Sequence, residues 1–152
     1  MKTRITFLIL LAVAALLPAQ SSKPAKKVAL TLTDEKGLAI KGYDPVAYFT
    51  LNKATQGSES FTAQYQGATY RFLSAEHRDR FQKDPAKYVP QFGGYCAWAV
   101  GNNYTAPADP EAWKIVDGKL YLNYNSKVQQ RWMADEANLI QKAAKNWPDL
   151  HN

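Results

Sequence analysis

The chain predicts an α+β fold, a small antiparallel sheet from two β-hairpins covered by N-terminal, central and C-terminal helices. Three observations carry that expectation. Alternating aromatic and aliphatic segments flank the turn pairs Gln66-Gly67 and Asp117-Gly118, and Asp44-Pro45, Ser74 and Asp84-Pro85 have the form of helix starts. The third is size: 152 residues, 46% of them hydrophobic, supply one compact core and hardly a second.

The elements follow in chain order. Lys2 and Arg4 precede an almost wholly apolar run, Ile5 to Leu17, and Leu17-Pro18-Ala19 then offers a small residue for cleavage, which predicts a signal peptide over residues 1–19. The run is shorter than the ~20 residues that span a bilayer, so the mature product is expected to be periplasmic or secreted, without membrane insertion. No cysteine near the cleavage point offers a lipid anchor. Residues 20–27, rich in Ser, Lys, Pro and Ala, read as a flexible linker, and the domain is expected over 28–152.

Val28 to Leu32 alternates as an extended segment and ends at Asp34-Glu35-Lys36-Gly37. A short helix carrying Val46, Tyr48 and Phe49 follows the capping Asp44 and Pro45. Phe61–Tyr65 and Ala68–Phe72 form the first hairpin. Ser74 caps a helix to about Lys83, on which His77 and Phe81 share a face, and Asp84-Pro85 opens a turn of helix to Tyr88. Tyr95–Val100 is buried either as a strand or as a close-packed helix, and residues 101–113 read as loop. Trp113–Val116 and Lys119–Tyr124 form the second hairpin. Asn125 or Ser126 then caps one long final helix with Val128, Trp132, Leu139, Ala143 and Trp147 at helical spacing, which Pro148 is expected to stop.

Net charge is +6, but Lys2 and Arg4 lie in the export segment and Lys23, Lys26 and Lys27 in the linker, which leaves 14 basic against 13 acidic side chains in the domain. No nucleic-acid partner is expected from so nearly neutral a surface. Cys96 is the only cysteine, so no intramolecular disulfide can form.

No phosphate loop, Cys-x-x-Cys, paired histidines or Gly-x-Ser-x-Gly elbow is present. With His151 near the terminus, His77 and Cys96 remain as candidates for soft chemistry inside the fold. In one reading they share a pocket as ligands of copper(I) or zinc(II), in a site that is two- or three-coordinate, recruits Met133 or a carboxylate, or is shared between chains. In a second, His77 activates Cys96 as a reactive thiol. The plainer reading makes Cys96 a small buried hydrophobe and His77 an ordinary hydrogen-bonding helix residue. The eighteen aromatics that follow the export segment suit a core better than a dedicated ligand site.

Tyr70 to Tyr88, with Gly42-Tyr43-Asp44-Pro45-Val46-Ala47-Tyr48-Phe49 and Gly93-Gly94-Tyr95-Cys96-Ala97, resembles the exported, stand-alone YHS domain proteins of bacteria. Metal-linked YHS relatives, found beside copper-transporting ATPases and in some oxygenases, carry a Phe-Cys-Ser-x-x-Cys arrangement where this chain has Phe72-Leu73-Ser74-Ala75-Glu76-His77. The resemblance therefore implies a metal role for His77 at most. Together with the lone thiol it favours a soft metal ion, copper or zinc, held by His77 and Cys96, with Tyr95 and Trp98 as walls of the cofactor site. Some relatives are described as possible selenoproteins, which would imply thiol chemistry if their special residue corresponds to Cys96. The expected function is thus metal binding, with a thiol-dependent redox protein or an interaction module as alternatives, a small ligand in place of the metal as another occupant, and any protein partner open.

Overall fold

The computed structural model describes residues 26–152, so the expected signal peptide (1–19) and most of the linker lie outside the described residues. The architecture is α+β. A 3-10 turn (Ile40–Gly42) leads to α1 (Ala47–Thr50), the hairpin β1 (Ser58–Tyr65) and β2 (Ala68–Phe72), then α2 (Ala75–Lys83) and α3 (Pro85–Tyr88). A second 3-10 turn (Gln91–Gly94) leads to α4 (Ala97–Gly101), the hairpin β3 (Asp109–Val116) and β4 (Lys119–Asn123), and finally α5 (Ser126–Met133) and α6 (Glu136–Leu150). No helix among the described residues is long and apolar enough to cross a membrane.

The hairpins form two separate two-stranded sheets, where a single sheet was expected. The edge that β2 would offer to the second hairpin is taken by the preceding loop: Ala39 N donates to Thr69 O and Thr69 N to Gly37 O, at 2.9 and 3.0 Å. The hairpins meet instead through side chains, Phe72 and Tyr70 with Phe81, Tyr48, Leu120 and Leu122. Alternation along β4 makes this strand a divider. Leu120 and Leu122 enter that cluster, whereas Tyr121 on the opposite face packs with Trp132, Ala97 and Leu139 of the C-terminal helices.

Local signals explain most boundaries. Ser74 Oγ accepts from His77 N at 3.2 Å and Asn125 Oδ1 from Val128 N at 2.8 Å, which caps α2 and α5. Asp117 (φ 49°) and Gly118 (φ 73°) occupy the two positive-φ positions of a two-residue hairpin turn. A Cβ built on Gly118 meets nothing within 4 Å, so Gly118→Val acts through backbone strain alone. It is expected to lower stability by about 1–2 kcal/mol in urea melts, and an unchanged midpoint would contradict it.

Val28–Leu32 is held outside both hairpin sheets by Val28 N to Leu150 O (3.0 Å), Asn152 N to Val28 O (3.0 Å) and Leu32 N to Gly93 O (2.8 Å), with Val28 in a parallel bridge to His151. Three expectations are corrected. The segment expected as loop is partly strand, because β3 starts at Asp109 and carries Pro110 where the pairing register shifts. The single final helix is two: Asp135 leaves helical geometry (φ −139°, ψ 38°) between Trp132 and Leu139, which pack in one cluster. Pro148 lies inside the last turn of α6 and does not stop it.

Candidate thiol site

Cys96 enters its position through the Gly-Gly pair. Phe92 (φ 56°), Gly93 (φ 60°) and Gly94 (φ 84°) turn the chain so sharply that Gly93 lies against the backbone of Leu30, and the chain emerges at the start of α4. Cys96 N donates to Ala106 O at 3.0 Å, which fixes the loop after α4 beside it. The thiol is 1% exposed and donates to Asn123 Oδ1 at 3.8 Å. Trp98 N donates to the same oxygen at 3.2 Å. Asn123 is wholly buried, and its second polar atom, Nδ2, has no hydrogen-bond partner. Burial raises the pKa of the Cys96 thiol above its ordinary value, opposed by backbone N–H groups of Ala99, Tyr124 and Trp98.

Above the thiol is a cavity of about 240 Å3, lined by Cys96, Trp98, Ala99, Tyr104, Ala106, Tyr124 and Val128. Trp98 and Tyr104 meet edge to face at 6.2 Å between ring centroids. Tyr104 and Tyr124 are half exposed, large aromatics with one side open to water. A second apolar cavity, about 210 Å3 among Leu32, Leu38, Ile40, Pro107 and Leu122, contains neither thiol nor imidazole.

His77 is placed elsewhere. Its Nδ1 is 2.6 Å from Oδ2 of the fully buried Asp44, and its Nε2 is 3.3 Å from the Thr50 hydroxyl, which itself donates to Val46 O at 3.1 Å. Asp44 also accepts from Val46 N (2.8 Å), Ala47 N (3.2 Å) and Leu73 N (2.8 Å). The Asp44–His77 pair thus ties α1 to the end of β2 and to α2. Both ring nitrogens are engaged in that arrangement.

The fold therefore does not bring His77 and Cys96 together. His77 stands on α2, whose Phe81 packs into the cluster on the Leu120/Leu122 face of β4, while Cys96 contacts Asn123 on the other face. They share no hydrogen-bond partner and no cavity. Among the described residues no cluster of three or more His, Cys, Asp or Glu side chains could hold a metal ion. Trp98 does wall the Cys96 cavity. Tyr95 turns away to pack on Trp147 at 5.7 Å, with Val100, Ala143 and Leu150. Met133 is exposed on α5 and does not line the cavity. His151 is held by its bridge to Val28 and stacks on Trp147 at 4.6 Å.

Sequence reasoning missed Asn123, Tyr104 and Tyr124 at the thiol and Asp44 at the imidazole. Asn123 had left a trace: it continues the alternation of Lys119, Tyr121 and Asn123 on one face of a strand whose neighbouring residues are large and apolar. Compared with protein-family models, with curated proteins and with solved structures, the chain matches none.

Proposed function

We propose that this is an exported, YHS-like protein whose chemistry is carried by Cys96 alone, as a thiol that exchanges with small disulfides in its cavity. The carrying observation is the sole thiol on the floor of an aromatic-walled cavity, against a buried carboxamide with an unspent donor. In the exchange the Cys96 sulfur bonds to one sulfur of the disulfide, the disulfide bond breaks, and the other half leaves as a thiol carrying the proton. With no second cysteine in the chain, the mixed disulfide persists until an outside thiol discharges it.

Intact mass after treatment with methyl methanethiosulfonate tests the reading. One adduct is expected on the native protein and none on Cys96→Ala. The rate is expected to rise with pH to a midpoint above that of the urea-unfolded chain, because burial favours the neutral thiol. The contribution of the raised thiol pKa to stability is complete below the unfolded thiol's pKa and is lost as pH rises through the folded value. A native thiol that stays unmodified, or a midpoint at or below that of the unfolded chain, would count against the reading. Titration with copper(I) or zinc(II) examines the metal alternative, for which Cys96 is the only soft ligand at the cavity; binding that vanishes in Cys96→Ala would favour it. Neither reactivity nor metal binding would leave the interaction module.

A further inference from the structure

We propose that the cavity selects uncharged aromatic disulfides over anionic ones, an inference that rests on Cys96 being a reactive thiol. None of the residues lining the cavity carries a charge. Trp98, Tyr104 and Tyr124 line the same cavity as the thiol, the type of residue on which a flat ring stacks. Its volume, about 240 Å3, exceeds the roughly 150 Å3 of an apolar cavity that accepts benzene, so one ring and its sulfur fit. Beyond Tyr124 lies a neighbouring hollow whose charged lining residues, Lys41 and Asp109, have opposite signs, so they create no net attraction for an anion. An anionic group brought to the thiol would lose hydration without gaining a cation. Asn123 is fully buried and does not line the cavity; its Oδ1 accepts from Cys96 Sγ at 3.8 Å and so bears on the position of the sulfur, not on the ligand.

The test compares two aromatic probes, uncharged dithiodipyridine and dianionic dithiobis(nitrobenzoate), with glutathione disulfide as a charged aliphatic control. Each rate is measured on the native protein and divided by the rate for the same chain unfolded in urea, which cancels the intrinsic reactivity of the reagent. The normalised rate for dithiodipyridine is expected to exceed that for either charged probe by about tenfold, a difference of roughly 1.4 kcal/mol in the barrier. Tyr104→Ser and Tyr124→Ser alter half-exposed rings and are expected to fold and to narrow the gap. Equal normalised rates for the three probes, or a gap that both tyrosine variants leave intact, would overturn the selectivity while leaving the reactive thiol standing. A native thiol inert even to methyl methanethiosulfonate would overturn both.

Discussion

Asp44→Ala is expected to cost the fold about 3–5 kcal/mol, the range for removing one partner of a buried ionisable pair. The carboxylate is wholly buried and accepts from three backbone N–H groups, Val46, Ala47 and Leu73, while the His77 ring meets it at 2.6 Å. Alanine leaves all four groups without that acceptor, and each unmatched buried donor costs about 1–3 kcal/mol when no water replaces the bond. Asn is expected to recover part of the loss, since one carboxamide oxygen can still cap α1. His77→Ala is expected to cost less than Asp44→Ala, because the backbone donors to Asp44 remain. Urea melts of the three variants measure this, and an Asp44→Ala loss below about 1 kcal/mol would show that the pair does not hold these segments together.

Gly93→Ala is expected to be nearly as damaging, about 3 kcal/mol or more, through two independent effects. The residue sits at φ 60°, and an added Cβ would run into the Leu30 carbonyl oxygen, with Leu30 C at 2.9 Å and Thr31 Cα at 3.2 Å. All three are backbone atoms and cannot rotate aside. Relief requires moving the 28–32 segment, which breaks the 2.8 Å bond from Leu32 N to Gly93 O. The contrast with Gly118 is informative, since there a side chain meets open space. A Gly93→Ala midpoint shift no larger than that of Gly118→Val would mean that the close approach is not needed.

What could be read from the sequence was what is decided within a few residues. The Asp117-Gly118 turn, the caps at Ser74 and Asp44 and the burial of Tyr95–Val100, Trp98 excepted as partly buried, all depend on neighbours in the chain, and are present in the fold. Pairings across the chain could not be read. His77 is 33 residues from Asp44, and Cys96 is 27 from Asn123, and nothing in the spacing of these residues reveals that β4 stands between the two groups. The Asp135 break was hidden because the apolar spacing continues through it: Trp132 and Leu139, seven residues apart, would share a face of one unbroken helix as well. The separation of the hairpins into two sheets depended on the Gly37–Ala39 loop reaching β2 first, a competition with no local signature.

The hydrogen bonds that join Val28 to Leu150 and Asn152 make the two ends of the described chain a single mechanical unit. Fraying at one end releases the other, so the last turn of α6 and the first described segment melt together ahead of the core. Tension applied through the residues before Val28 would peel this clasp first and load α6, while the two hairpins and the floor of the thiol cavity stay shielded until it opens.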